Sequence, residues 1–377
     1  MEDKFIEVLG NLVQINSINP TLAAGPGEEE IANFVVNYLE KLGLQAELQL
    51  VAARRYNVAA VIQGQIHENS LLLNAHLDTV GVEEMEAPFT LKREGNKLFG
   101  RGAYDMKGSV AIMLLLAEHF AQNKPPNDLL LTFVADEEDK SIGMEYITDK
   151  WLPGLTAPPV AGIFLEPTEL QIGVRHKGFV WFEVEVQGKA AHGSRPEEGI
   201  DAILPLHAAL EELGKIQSEL SAEEGDPLLG RGSLHTGVIE GGSALSVIPA
   251  SAKLNWERRT LPSESKRQIS SELDRVIQAV KNVSGEHKVS GRELFNRPAH
   301  AVSTEADIAK KLQSAAPDSK IVGCSFWADS AIGGLAGFPS VLFGPVGHGA
   351  HAVDEWVSLA SLVRVYEVVK RVVEESL

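Results

Sequence analysis

LLLNAHLDTV (residues 71–80) decides the fold. The apolar run Leu71-Leu72-Leu73 reads as a buried strand that delivers His76 and Asp78 at its C-terminal end. Successive strand side chains point to opposite faces, so two residues that are two apart share a face. His76 and Asp78 can therefore act as a unit, the carboxylate accepting the proton on the imidazole nitrogen that does not bind a metal. Alone, a histidine at a strand end is more often an ordinary polar residue than a ligand.

The same pattern recurs along the chain. The run at residues 129–134 ends in Asp136-Glu137-Glu138-Asp139, and the run at 160–165 ends in Glu166, just before Pro167. Four consecutive carboxylates repel one another unless solvent or cations neutralise them. They read either as a solvated turn or as a site where Glu138 binds a metal and Glu137 stays free as general base. A base must reach the proton that it takes and titrate near working pH. GRGAYDMKGS (residues 100–109) is a glycine-rich loop leading into an apolar helical stretch, residues 110–120. Its Asp105 reads as a helix cap or as a ligand whose two oxygens bridge two cations. GPVGHGAHAVDEWV (residues 344–357), between a strand-like stretch and a final helix, offers two competing histidines. Glycine flanks His348 on both sides, and His351 has the more ordered flank.

With these motifs in place, the chain resembles the zinc aminoacylase and carboxypeptidase family that includes acetylornithine deacetylase, succinyl-diaminopimelate desuccinylase and glutamate carboxypeptidase. The likeness runs nearly end to end. It covers SINP near Ser17, NAHLDTV, GRGAYDMKG, Glu137-Glu138, Glu166-Pro167, GKAAHGSRPEEGIDA (188–202), GGSALSVIP (241–249), ERRTLP and HAVDE.

The resemblance implies that His76 and Glu166 bind one zinc, that Glu138 and His351 bind the other, and that Asp105 bridges them. Cobalt or manganese also suits these nitrogen and oxygen donors. Asp78 is then the residue that orients His76, Glu137 activates a metal-bound water, and the Asp105-Met106 peptide is cis. His192, in the middle segment, is expected to reach the partner subunit's site and stabilise the oxyanion. Arg259 is expected to hold the substrate carboxylate, with Arg258 next door leaving that assignment open. Family members often carry asparagine where this chain has Ser246, which is shorter and lacks an amide donor, so carboxylate recognition is expected to differ. Tyr104 either shapes the acyl pocket or simply packs.

From Gly178 on, Val180, Phe182, Val184 and Val186 alternate with Trp181, Glu183 and Glu185, the period of a half-buried antiparallel strand. Helices are expected at residues 199–213 and 265–280, with strands between 237 and 257. The expected fold is α/β: a mostly parallel-sheet, zinc-peptidase-like catalytic domain (residues 1–175 and 292–377) with an inserted α+β lid and dimerisation domain (176–291). Open α/β sheets place their sites at the C-terminal ends of strands.

Thirty-four basic against 52 acidic residues give a formal charge of -18. That opposes binding to nucleic acid or anionic membranes, both of which need clustered Lys and Arg. The single cysteine, Cys324, excludes an internal disulfide and fits a reducing compartment. The N-terminus has apolar residues at helical spacing but no basic region or long apolar core, so no secretory signal is expected. A cytoplasmic homodimeric enzyme acting on a small N-acyl amino acid or dipeptide is the resulting expectation. The contrasting class is a non-catalytic metal or amino-acid binding protein.

Overall fold

The computed structural model describes residues 1–285 and 287–375. The chain divides into two compact units. The first holds Met1–Val174, Val302–Val322 and the chain from Ala328 on, and the second holds Arg175–Ala301 with Gly323–Trp327.

In the first unit the strand Ile66–His76 lies at the centre of a mixed sheet, in register with Asn127–Val134 on one side and Pro159–Phe164 on the other. Both pairings are parallel, and Ser340–Leu342 adds to Pro159–Phe164 in the same sense. Arg55–Ile62 and Ala46–Ala52 extend the sheet antiparallel beyond Asn127–Val134. Leu71, Leu73 and Ala75 join one core cluster with the helices Glu2–Gln14, Glu29–Lys41, Gly108–Gln122, Asp307–Ala315 and Leu359–Glu374. Leu72 and Asn74 point the other way and are buried as well. Burial on both faces explains why these strands read as continuous apolar runs instead of alternating ones. The helix Gly108–Gln122 is buried around most of its circumference, so it also lacks a polar stripe.

The second unit is an antiparallel sheet in the order Ser233–Gly241, Ser251–Thr260, Gly178–Gln187, Lys288–Arg297. Val180, Phe182, Val184 and Val186 are fully buried in a separate core with the helices Leu206–Ala222 and Lys266–Val283. Ser265 caps the second of these helices, its side chain and that of Gln268 forming a reciprocal capping box. The first helix begins at Leu206, later than the expected 199: Pro205 disfavours helical backbone at the residue before it, and Asp201 instead caps the turn at Ile203 and Leu204. The return crossing expected between 291 and 292 falls inside Lys288–Arg297, whose residues pair with Gly178–Gln187 and so belong to the second unit up to Ala301.

Leu39 on Glu29–Lys41 is fully buried in the first core. Leu39→Ala is expected to lower the unfolding free energy by about 2–5 kcal/mol through lost burial and a residual cavity, read from urea denaturation. A loss below about 1 kcal/mol would mean that the site collapses around the gap.

Candidate active site

Three parallel strands end together and carry the site. His76 is the last residue of Ile66–His76, Glu137 and Glu138 follow Asn127–Val134, and Glu166 follows Pro159–Phe164. His76 is buried, with its Nδ1 3.0 Å from the main-chain carbonyl of Asp78 and its Nε2 3.1 Å from Asp105 Oδ1. Nδ1 donates its proton to that carbonyl, so Nε2 is the ring nitrogen that faces Asp105 and the cluster.

The Asp78 carboxylate lies 3.6 Å from Nδ1, farther than its own carbonyl, and is engaged elsewhere. It accepts the backbone N–H groups of Glu137 (3.1 Å) and Glu138 (3.2 Å) and the amide of Asn19 (2.8 Å). Asp78 thus joins the histidine strand to the turn carrying the two glutamates.

Behind this turn sits Arg55, buried with its carboxylate partners. It makes a two-pronged contact with Glu28, with Nε–Oε2 at 2.7 Å and Nη2–Oε1 at 2.6 Å, and its Nη2 lies 2.8 Å from Asp136. Burial drives the Glu28 carboxyl up to about 7 despite its bond to Arg55. Neither Arg55 nor Glu28 was expected from sequence, because each is isolated in a stretch without any motif.

Asp105 sits at a cis Asp105-Met106 peptide. Its Oδ1 faces His76, and its Oδ2 lies 3.5 Å from His351 Nε2. His351, in a left-handed backbone conformation, is also 2.8 Å from Glu138 Oε2. His348, the competing histidine, is exposed, pairs with Asp354 at 3.4 Å and stacks on Trp356. Ligand atoms of His76, Glu137 and Glu166 lie within 4.8 Å of one another, as do those of His76, Asp105 and Glu138. All five expected ligands and the expected base therefore meet at one place. Tyr104, open to two readings from sequence, is buried and donates its hydroxyl to Glu169.

The electrostatics describe a site rich in donors and short of cations. Burial, followed by the charge of Glu166, raises Glu137 well above the carboxylate range. Burial and Asp105 raise Glu138 to about 7, and burial raises Glu166 to about 8 against the opposing pull of His76. Bonds to Asp105 and Glu138 lift His351 to about 10. Burial works against charge on His76, yet its bond to Asp105 and the fields of Glu166 and Glu137 raise it well above an ordinary imidazole. Glu138 Oε1 and Glu166 Oε1 are buried without a hydrogen-bond partner among the described residues. Orphaned carboxylate oxygens beside imidazole nitrogens are a donor set that suits divalent metal ions such as zinc.

The other expected residues lie in the second unit. His192 is exposed, 2.8 Å from Ser194 Oγ, and forms an isolated bridge with Val247, next to Ser246. Arg258 is fully buried and committed to Glu264 and Glu272, whereas Arg259 is partly exposed over the Phe179 ring, with its Nε bonded to Glu257 at 2.6 Å. Of the two arginines, Arg259 is the one with access to solvent.

A sheet-end cluster of this composition is suited to holding divalent metal ions. The profile of peptidase family M20/M25/M40 matches residues 72–375, and the chain belongs to that family. A peptidase M20 domain-containing protein of Schizosaccharomyces pombe is 36% identical over 67% of this chain, which spans 59% of that protein's length. Acetylornithine deacetylase of Proteus mirabilis is 30% identical over 74% of this chain and 72% of its own. In fold, a Staphylococcus aureus tripeptidase superposes with a TM-score of 0.79 over 99% of this chain and 98% of its own, at 20% identity.

Arg55 is the cation between Glu28 and Asp136, so Arg55→Met strands buried carboxylates. Stability is expected to fall by about 3–5 kcal/mol, as when one partner of a buried pair is removed. A urea denaturation midpoint equal to that of the parent would contradict this account of the turn.

Proposed function

We propose that the protein hydrolyses the amide bond of an N-acyl amino acid, in the manner of acetylornithine deacetylase or succinyl-diaminopimelate desuccinylase, with two zinc ions as its resident metals. The observation that carries this reading is Asp105, whose two oxygens face two different histidines at 3.1 and 3.5 Å. On this reading His76 and Glu166 hold one ion, Glu138 and His351 hold the other, and Asp105 is shared. When bound, such a pair polarises the amide carbonyl and acidifies water.

The chain's own groups do the rest. Glu137, clustered with His76 and Glu166 and left without a metal in this reading, would accept a proton from the attacking water. It then delivers that proton to the nitrogen of the departing amine. Its backbone N–H is held by Asp78, which keeps the base in register with the histidine strand. In this reading His192 of a second copy of the chain donates to the developing oxyanion. Arg259 receives the substrate carboxylate through the guanidinium nitrogens not used by Glu257, and Ser246 alters how that carboxylate is met.

Peptide hydrolysis uses the same proton transfers, and relatives described as probable carboxypeptidases favour a carboxypeptidase or dipeptidase as the second reading. A homodimer is part of the proposal. The edge strand Ser233–Gly241 exposes Val238 and Ile239 and is open to pairing with a second copy.

Zinc-loaded protein is expected to release free amine from one member of a panel of N-acetyl, N-succinyl and N-formyl amino acids and dipeptides, and to lose that activity with a chelator. Turnover of dipeptides alone would move the assignment to the peptidase reading. Chelator-resistant turnover would overturn the metal mechanism. Glu137→Gln is expected to reduce kcat by about 10²-fold or more while metal content stays at the parent level. A variant retaining parental kcat would remove Glu137 from the role of base.

A further inference from the structure

Glu355 lies four residues beyond His351, on the turn that leads into the strand Trp356–Ser358. That strand pairs antiparallel with Lys97–Phe99, Trp356 opposite Phe99, and the Glu355 carbonyl accepts the N–H of Gly100 at 3.4 Å. Two segments some 250 residues apart in sequence are thus joined directly beside the Asp105 loop.

The Glu355 side chain is 1% exposed, and both of its oxygens are fully used. Oε2 accepts from Arg101 Nη1 at 2.8 Å and from the N–H of Gly102 at 2.9 Å. Oε1 accepts from the N–H of Tyr104 at 2.9 Å and from the N–H of Asp105 at 3.1 Å. Three backbone N–H groups converge on one carboxylate because Gly102 turns the loop with φ 76, a conformation that costs glycine little. With four donors pointing inward, the position calls for four acceptor lone pairs and no donor, and an ionised carboxylate meets that demand.

We propose that Glu355 is a positioning residue for the metal pair. It sets the backbone of residues 100–105 so that the Asp105 carboxylate points between His76 and His351, and it ties that loop to the segment bearing His351. This rests on the two-metal reading above and assigns the preorganisation of the shared ligand to a carboxylate that itself touches no metal. Two ligands contributed from distant parts of the chain then move as one body.

Glu355→Gln tests this, because the amide keeps the shape but turns an NH₂ group toward donors. Co²⁺ titration of the full chain, followed by visible absorption and calorimetry, is expected to show two ions bound by the parent. The same titration is expected to show affinity weaker by about 10- to 100-fold in the variant, the usual cost of removing a ligand-orienting partner. Leu39→Ala, a destabilising change on the helix Glu29–Lys41 that removes none of the hydrogen bonds to Glu355, is expected to bind Co²⁺ as the parent does. Parental affinity in Glu355→Gln, or an equal weakening in Leu39→Ala, overturns the proposal. Fewer than two ions on the parent protein overturns the metal reading itself, a separate result. Should Glu355→Gln fail to fold, amide hydrogen exchange of the metal-free parent decides. Slow exchange at Gly102, Tyr104 and Asp105 before any metal is added is expected, and exchange as fast as in an open loop contradicts the brace.

Discussion

Crowding of buried carboxylates is the constraint on which the rest of this structure depends. Asp105, Glu137, Glu138 and Glu166 converge on the two histidines at the end of one sheet, where burial alone would keep such groups protonated. The protein spends its own buried guanidinium groups behind this cluster. Arg55 serves Glu28 and Asp136, and Arg101 serves Glu355. The front row is left to the histidines and to whatever cations the site admits. Each supporting carboxylate holds backbone: Asp78 holds the N–H groups of Glu137 and Glu138, and Glu355 holds those of Gly102, Tyr104 and Asp105. One layer of acidic side chains thus shapes the loops that present the other.

The fold makes this arrangement possible by ending parallel strands at a common edge. His76 and the side chains that follow Val134 and Phe164 meet because the strands that carry them are in parallel register. The loops that supply Asp105 and His351 come from outside the strand ends and are joined to each other through the short pairing of Lys97–Phe99 with Trp356–Ser358. Of the five expected ligands, only His76 lies within a strand; Glu138 and Glu166 sit on the turns that follow strands, and Asp105 and His351 on the two joined loops. Preorganisation of this kind limits how far the ligands must move to bind metal.

Much of this was legible in the sequence, for identifiable reasons. The apolar runs before His76, Glu137-Glu138 and Glu166 mark strands buried on both faces, and such strands end in the site. The flanking glycines suggested a loop around His348, yet His348 pairs with Trp356 in a short strand and His351 lies on a turn, so the flanks do not separate the two; their partners do, Glu138 for His351 and Asp354 for His348. What stayed hidden depends on tertiary contact. Arg55 and Glu28 carry no local pattern, and Glu355 looked like part of the HAVDE motif without a separate task. The sequence also suggested that the Asp78 carboxylate pairs with His76, because side-chain alternation cannot show that the main-chain carbonyl of Asp78 takes the shorter contact. The late start of the helix at Leu206 was concealed by helix-forming residues on both sides of Pro205.

Diffraction from zinc-soaked crystals, recorded above and below the zinc absorption edge, tests the central claim most directly. A shared Asp105 predicts two anomalous peaks about 3.5–4 Å apart, one on each side of its carboxylate. A single peak, or peaks away from His76, Asp105 and His351, would contradict a two-metal site.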